Sequence, residues 1–296
     1  MALRPHLVGL LLAVAACGRT EPRVAGTSTI FDDAGRAVAL AAPARRIVSL
    51  SPSSTELLFA IGAGDRVVGR TTWCRYPAAA LRVPVVGDGL NPNVEAVAAL
   101  HPDLVVLYAS ALNETAARQL GRIGIPTVIL RQDLLEHVAR DARLLGRLTG
   151  QEAGGDSVAR AVLDVFDAPP PWPTSARRRR VAFVVWDNPP MVIGAGSFLD
   201  QLAELAAAHN AFHDLKSASA TVSLETIAAR DPDVVVTIAD SADTRLPAFA
   251  SARAWQAVRA VRERRVLTLP GALFGRPSPR AAEAVAVLRR RLEALR

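Results

Sequence analysis

Two segments of the chain repeat one order of polar and hydrophobic positions. Residues 93–108 read NVEAVAALHPDLVVLY and residues 223–238 read SLETIAARDPDVVVTI, with seven of the sixteen aligned positions identical. Each segment predicts a short helix capped by its first residue, a Pro-Asp turn that stops the helix, and a strand. The strands, residues 104–107 and 234–237, are runs rich in β-branched residues and leucine, which is typical of strands covered on both faces.

A second pair of similar segments precedes these repeats. Residues 46–50 (RIVSL) and 180–185 (RVAFVV) each predict an arginine-led strand, followed by a proline-containing loop and a helix. Together with the repeats they predict an α/β fold of two Rossmann-like lobes, residues 45–149 and 180–296. Because ligands of open α/β sheets bind beyond the carboxyl ends of the strands, we expect a ligand cleft between the lobes.

One rigid helix is predicted to join the lobes. Within residues 150–168, apolar side chains recur at helical spacing, at Val158, Ala161, Val162, Val165 and Phe166. Pro169 ends this pattern and opens a Pro/Arg-rich connection, residues 169–179. A single helix is a stiffer link than extended strands, so we expect the lobes to move little. The last helix is predicted over residues 278–295, with Ser278 as its N-cap.

The first residues have the order of an export signal. A basic residue precedes an apolar stretch and small residues lead to Cys17, so residues 1–16 predict a signal peptide. The sequence VAAC at its end resembles the bacterial lipobox, in which the cysteine is lipidated; an ordinary signal peptide is the alternative. Residues 17–44 predict a polar leash with a short leading strand near Ile30. We expect an exported protein, in the periplasm or at the outer cell face, that contacts the membrane only through this lipid.

Composition and charge exclude other classes of protein. Half of the 296 residues are hydrophobic and 21% are charged, which fits a folded chain with a sizeable core. The longest apolar run, Leu7–Cys17, is shorter than the ~20 residues that span a bilayer. The formal charge is +7, and Lys216 is the only lysine among the 35 basic residues. The clearest basic run, Arg177–Arg180, contains no aromatic residue, so we interpret it as a solvated linker and expect no nucleic-acid partner.

Candidate ligand-binding residues follow the predicted strands. Ser51 and Ser53 lie at a hydroxyl-rich helix start, whose free N–H groups can hold an anion or an amide; an ordinary capped helix is the alternative. Aromatic residues form 5% of the chain, and Trp73 and Trp186 lie in loops, where stacking on a ligand and plain packing both remain open. Arg276 lies in a Gly/Pro-rich loop and could meet an anionic group. The remaining candidates are Tyr76, Tyr108 and Phe274.

Five ordered segments of the chain resemble the helical-backbone (class III) ABC-transporter substrate-binding proteins, and most of all the periplasmic cobalamin-binding family. The segments are RIVSLSPSSTELLFAIGAGDRVVGRTTWCRYP, PNVEAVAALHPDLVV, WDNPPMVIGAGSFLDQLAELAAAHNAF, TVSLETIAARDPDVVV and FGRPSPR. The resemblance implies a monomeric, non-enzymatic receptor without a cofactor of its own. It implies that the receptor captures a small-molecule chelate between its lobes and delivers it to a permease dimer, which Glu95 and Glu225 contact, one from each lobe.

The resemblance also implies ligand contacts. Trp73 matches an aromatic residue that lies against the corrin in cobalamin receptors, and Arg276 matches a basic residue of their last ligand loop. Ala272 and Leu273 replace the acidic residue and the tryptophan of that loop, and Tyr108 stands where a tryptophan is common. The matches at Trp73 and Arg276 lead us to expect cobalamin or a related corrinoid, and the departures leave a ferric siderophore, haem or another metal chelate as the alternative.

Two further classes of function are disfavoured by the residues present. Capture of a free metal ion needs several converging imidazole and carboxylate ligands, whereas His209 and His213 are expected to flank the end of a helix near Asn210, so no metal site is predicted. An exported hydrolase lacks support because no G-x-S-x-G motif occurs. Cys74 has no residue beside it in sequence that would activate a thiol.

Overall fold

The computed structural model describes residues 30–167, 178–239 and 247–295. Its strands are β1 (Ile30–Phe31), β2 (Ala37–Val38), β3 (Ile47–Ser49), β4 (Val67–Arg70), β5 (Leu104–Tyr108), β6 (Thr127–Leu130), β7 (Arg179–Asp187), β8 (Pro190–Ile193), β9 (Ala208–Asn210), β10 (Ser219–Thr221), β11 (Val234–Ala239) and β12 (Val266–Pro270). Its α-helices are α1 (Pro52–Ala60), α2 (Val94–Ala98), α3 (Ala111–Arg122), α4 (Leu135–Thr149), α5 (Glu152–Asp167), α6 (Phe198–Leu205), α7 (Leu224–Arg230), α8 (Arg259–Arg262), α9 (Gly271–Phe274) and α10 (Ala281–Ala294). Short 3₁₀ helices lie at Gly64–Arg66, Ala78–Arg82, Ala248–Ser251 and Arg253–Ala257. The predicted signal peptide, Cys17 and most of the predicted 169–179 connection lie outside the described residues.

The first lobe is built on a parallel sheet with the strand order β4-β3-β5-β6. Strand β3 pairs along its whole length with the first three residues of β5, with Ile47 opposite Leu104 and Val48 opposite Val105, and all four side chains are buried. Unbroken apolar strands suit this position because helices cover both faces of a parallel sheet. The strand predicted at residues 104–107 is confirmed and runs one residue further, to Tyr108.

The second lobe is built on a mixed sheet with the order β10-β8-β7-β11-β12, in which β9 also pairs with β7. Strands β7, β9, β11 and β12 are parallel, as predicted from the repeats. The expectation of a helix as the next element after residues 180–185 is wrong, because β7 continues to Asp187 and turns back into the antiparallel β8. Asn188-Pro189 is a turn dipeptide followed by a short apolar run, which favours a hairpin over a helix.

The sequence repeat is matched by a repeat of backbone structure. Asp103 accepts a hydrogen bond of 2.9 Å from the backbone N–H of Arg46, and Asp233 accepts the equivalent bond of 2.9 Å from Arg180. The turn residue before each Pro-Asp pair, His101 or Asp231, has a positive φ, of 46° and 43° respectively. In each repeat, the aspartate of the Pro-Asp turn thus ties the turn after the helix, α2 or α7, to the start of the neighbouring strand, β3 or β7. The prediction of two α/β lobes of like construction is confirmed.

Helix α5 occupies most of the segment predicted as the joining helix. It packs against α4 of the first lobe and α10 of the second. The contact with α4 is close, because a Cβ atom on Gly155 would stand 2.6 Å from the carbonyl oxygen of Ala142. Only glycine permits that approach, so the start of α5 is fixed to the first lobe.

The last helix starts later than predicted. It begins at Ala281 with Arg280 at its N-cap position, so the assignment of Ser278 as N-cap is wrong. The Ser278 hydroxyl instead accepts the backbone N–H of Arg280 at 3.2 Å, within a turn that precedes the helix. The apolar face of the helix, including Leu288 and Leu292, joins a buried cluster that contains side chains of both sheets. The two lobes therefore share part of one hydrophobic core.

A two-stranded hairpin, β1 and β2, covers one edge of the first sheet. Its turn residue Asp32 accepts the backbone N–H of Ile129 in the edge strand β6 at 3.1 Å, and the N–H of Asp33 donates to the Ile129 carbonyl at 2.9 Å. Arg140 of α4 donates to Asp33 at 2.6 Å and to the buried Asp141 at 2.8 Å. The leading strand predicted near Ile30 is confirmed, and it docks on β6.

Candidate functional site

Residues that follow the strands of the first lobe meet at the carboxyl edge of its sheet. Ser51, directly after β3, caps α1 by accepting the Ser54 backbone N–H. The hydroxyls of Ser51 and Ser54 both donate to the side-chain carbonyl of Gln132, at 3.0 Å and 3.1 Å. Gln132 follows β6, and sequence reasoning missed it. In this structure the Ser51 hydroxyl stabilises the start of α1, and a role in binding a ligand stays a prediction.

Helix α1 is bound to the last loop of the second lobe by a buried carboxylate. Glu56 is 2% exposed, and it accepts hydrogen bonds from Arg276 at 3.2 Å and from Arg280 at 2.5 Å and 3.3 Å. Beside it, the Ser53 hydroxyl donates to the Pro277 carbonyl at 2.6 Å. We call Glu56, Arg276 and Arg280 the arginine cluster. It brings two predicted site residues, Ser53 and Arg276, to one contact between the lobes.

Sequence reasoning missed Glu56 and Arg280. A signal for Glu56 was present, because a lone carboxylate stands beside the apolar run LLFAI, and α1 is buried along most of its length. A buried carboxylate requires a cationic partner. That partner could not be chosen by spacing along the chain, because Arg276 and Arg280 lie 220 and 224 residues away.

The loop after β4 presents aromatic side chains outward. Trp73 is 47% exposed and Tyr76 is 38% exposed. The Arg280 guanidinium lies 3.7 Å from the centre of the Tyr76 ring, so Tyr76 adjoins the arginine cluster. Between the two aromatics, Cys74 is buried and unpaired, 3.0 Å from the Thr55 hydroxyl and 3.1 Å from the Thr71 hydroxyl. The inward Cys74 fixes the loop while its neighbours face solvent.

The other predicted ligand contacts lie in separate surroundings. The Tyr108 hydroxyl donates to Asp133 at 2.7 Å, and burial followed by this hydrogen bond raises the pKa of Tyr108 to about 12. Trp186, 61% exposed at the β7–β8 turn, donates from its indole to the Asn188 carbonyl at 2.9 Å. Phe274 is fully buried in the core cluster. Its role as a ligand contact stays a prediction, one that requires the side chain to leave the core.

The predicted docking residues Glu95 and Glu225 are exposed at matching places. Each lies in the first turn of its helix, α2 or α7, whose N-cap side chain accepts a backbone N–H at 2.9 Å or 3.2 Å. A hydrogen bond from Ser223 lowers the pKa of the Glu225 carboxyl, so this group is charged at neutral pH. Contact with a permease stays a prediction.

The surroundings of His209 and His213 differ from expectation. Helix α6 ends at Leu205, not near Asn210, and His209 lies in β9. The centres of the two imidazole rings are 5.9 Å apart. The Nδ1 atom of His209 faces the Glu204 carboxylate, and that of His213 faces the Asp200 carboxylate. Across residues 30–167, 178–239 and 247–295, no three histidine, cysteine or acidic side chains are grouped as a metal ion would require. Within the same ranges, no helix has the length and apolar character needed to cross a membrane.

Comparison with known proteins decides the family. A family model described as Periplasmic binding protein matches residues 47–273, which include strands of both sheets. The chain belongs to this family. It is 30% identical over 265 residues to YvrC of Bacillus subtilis, an uncharacterized ABC transporter substrate-binding lipoprotein, and the match covers 87% of this chain and 82% of that protein. The chain is thus an ABC-transporter substrate-binding protein and not an enzyme, and it works with a permease and a small ligand.

Solved structures of the periplasmic binding protein family share the fold. The vitamin B12-binding protein BtuF of Vibrio cholerae matches with a TM-score of 0.69 at 25% identity, over 86% of this chain and 98% of that one. The haem-binding protein BhuT, in complex with two haems, matches with a TM-score of 0.73 at 28% identity, over 86% and 100% of the two chains. Curated relatives named as cobalamin-binding or vitamin B12-binding proteins are 25–34% identical. The resemblance to the cobalamin-binding members is confirmed, while binders of different ligands are about equally similar in structure.

Proposed function

We propose that this receptor captures cobalamin or a related corrinoid between its lobes and delivers it to the permease of an ABC importer. The observation that carries the proposal is the exposed pair Trp73 and Tyr76, which lies beside the contact between α1 and the last loop of the second lobe. A flat macrocycle binds best where exposed aromatic faces can stack on it and neighbouring polar groups fix its orientation. Curated cobalamin-binding relatives support the corrinoid.

In this proposal α5 is the rigid connection between the lobes, and the ligand cleft opens at the carboxyl edges of their sheets. Support comes from the packing of α5 against α4 and α10 and from the core that both lobes share. The lobes are residues 45–149 and 180–296, with 150–168 and 169–179 between them. Because the arginine cluster ties the lobes together, we expect only small relative movement on ligand binding.

Docking and export complete the proposed mechanism. Glu95 and Glu225 are the acidic residues that a two-fold symmetric permease would contact, since each occupies the same place in a repeated unit. Residues 1–16 would direct export, and a lipid on Cys17 would hold the monomeric receptor in the periplasm or at the outer cell face. The lipoprotein name of the Bacillus subtilis relative supports the anchor.

A ferric siderophore, haem or another metal chelate is the second candidate ligand. It is favoured by the similarity to BhuT and by Ala272 and Leu273, which replace residues common in the last loop of cobalamin receptors. An enzymatic hydrolase is excluded by membership of the family.

Titration of the purified protein with cyanocobalamin, haemin and a ferric hydroxamate tests the assignment. We expect cyanocobalamin to bind with a micromolar or lower Kd and to quench the emission of Trp73. Trp73→Phe should remove most of the quenching, whereas Trp255→Phe, at a buried position against Phe249, should retain it. Saturable binding of haemin or the hydroxamate without binding of cyanocobalamin would replace the corrinoid by the second candidate.

A further inference from the structure

The arginine cluster contains two cations for one anion. The Glu56 carboxylate accepts three hydrogen bonds across the contact between the lobes, one from Arg276 and two from Arg280. The side chains of both arginines are only 15% exposed. Both guanidinium groups therefore depend on protein contacts, and not on bulk water, for most of their stabilisation.

Neighbouring charged side chains do not neutralise the excess positive charge of the arginine cluster. Glu283 approaches Arg280 no closer than 3.9 Å and is 57% exposed, so water screens much of its effect. Arg75, in the same loop as Tyr76, adds a further guanidinium 5.3 Å from the centre of the Trp73 ring. The side of the cluster next to the aromatic loop is therefore net positive.

One buried donor in the cluster is also unused. Among the described residues, the Nε atom of Arg276 is buried and has no hydrogen-bond partner. A buried N–H without an acceptor destabilises the state that contains it, and a charged one does so more strongly. An oxyanion placed beside Arg276 would supply both an acceptor and the missing negative charge.

The location of the cluster makes it reachable from the proposed ligand site. Arg280 stacks on Tyr76, whose ring is 38% exposed in the loop that also presents Trp73. A macrocycle that lies on this loop would bring the groups at its rim next to Arg276 and Arg280. Both arginine side chains are 15% exposed, so neither is sealed from solvent.

We propose that the ligand of this receptor carries an oxyanion, a carboxylate or a phosphodiester, at the rim of a large chelate, and that Arg276 and Arg280 bind it. Glu56 is a positioning residue, because it holds both guanidinium groups at the contact between the lobes. This inference rests on the proposed function and narrows it to ligands that bear an acidic group. Neutral chelates of the same shape are bound less tightly.

Matched ligand pairs test the inference on the unaltered protein. Cyanocobalamin carries a phosphodiester that dicyanocobinamide lacks, and haemin carries two propionates that are masked in haemin dimethyl ester. For the pair that binds, we expect the Kd of the acidic member to be at least about tenfold lower than that of the neutral member. One charge-assisted hydrogen bond provides a difference of this size. Raising the salt concentration should weaken binding of the acidic member much more than that of its neutral counterpart.

Two variants and a control locate the effect. Arg276→Gln and Arg280→Gln should each raise the Kd of the acidic member more than the Kd of the neutral member, which moves the ratio of the two toward one. Arg118→Gln removes an exposed guanidinium of α3, away from the cluster and the aromatic loop, and should retain the preference. Thermal unfolding of each variant shows whether it is folded.

The possible outcomes separate the inference from the proposed function. Equal binding of both members of a pair by the unaltered protein would overturn the oxyanion inference and leave the receptor function standing. A preference that survives Arg276→Gln and Arg280→Gln in folded protein would overturn the role of the cluster. Failure of all four chelates to bind would overturn the corrinoid and haem assignments of the proposed function.

Discussion

Replacement of Glu56 by glutamine should destabilise the protein strongly. The amide keeps the shape of the side chain but removes the carboxylate that accepts hydrogen bonds from Arg276 and Arg280, at 2.5–3.3 Å. Loss of one partner from a buried ion pair costs about 3–5 kcal/mol, because the remaining charge stays buried. The amide oxygen retains one acceptor, so we expect the lower end, about 3 kcal/mol. That is a large share of the ~5–15 kcal/mol by which folded domains are stable.

Urea unfolding, followed by circular dichroism and by tryptophan fluorescence, measures this loss. A reduction of about 3 kcal/mol lowers the urea midpoint by about 1 M or more for a chain of this size. Glu136→Gln is the matched control, since Glu136 also accepts a hydrogen bond from the other lobe, 2.6 Å from Gln201, but is exposed. We expect the control to change stability by less than about 0.5 kcal/mol.

A double variant tests the physical reason. If Glu56 and Arg280 stabilise the protein through each other, the loss in Glu56→Gln with Arg280→Gln is clearly smaller than the sum of the two single losses. Strictly additive losses, or a Glu56→Gln effect no larger than that of Glu136→Gln, would refute the reasoning. The contact between the lobes would then be held by apolar packing alone.

Three further predictions concern pH, packing and docking. Burial raises the pKa of Asp141 to about 7, so the folded state binds this proton more tightly than the unfolded chain, and stability falls as pH rises from about 4 to 7. Asp141→Asn should reduce this loss of stability, measured as the difference between the urea midpoints at about pH 4 and pH 7. A difference as large as that of the unaltered protein would contradict the prediction. Gly155→Ala should lower the free energy of unfolding by about 1–3 kcal/mol, because its Cβ would stand 2.6 Å from a backbone carbonyl oxygen of α4. Gly121→Ala is the control, since a Cβ there meets open space; it should stabilise α3 by about 0.5–1 kcal/mol. Equal effects in thermal unfolding would disprove the close approach. Glu95→Ala combined with Glu225→Ala should leave ligand binding unchanged and abolish co-purification with the permease; normal uptake by this variant would remove the docking role.

The parts of the fold that the sequence predicts are those with local causes. The helix, Pro-Asp turn and strand recur because a cap, a proline and an apolar run act over a few residues each. The structure repeats even the hydrogen bonds of Asp103 and Asp233 to the preceding arginine-led strands. Periodicity does not predict the β7–β8 hairpin, because an apolar run as short as Pro190–Ile193 fits a strand or a helix equally well, and the Asn188-Pro189 turn beside it is the signal that favours the hairpin.

The candidate site was predicted only where a residue follows a strand directly. Trp73 and Tyr76 are exposed, as a contact with a ligand requires. Glu56 and Arg280 could not be found, because their pairing depends on how two lobes pack and not on neighbours in sequence. Phe274 was chosen from a segment interpreted as a loop, but α9 forms there and directs this side chain into the core.

If Cys17 carries a lipid, as proposed, the docking of the β1–β2 hairpin on β6 limits how far the receptor can move from the membrane. Residues after Ile30 are tied to the first lobe through Asp32 and Asp33. With the lipid on Cys17 as proposed, the 12 residues between Cys17 and Ile30 remain as a tether. Fully extended, they reach about 45 Å, close to the diameter of a folded domain of this size. The receptor would therefore meet its permease while staying within about one domain diameter of the lipid surface.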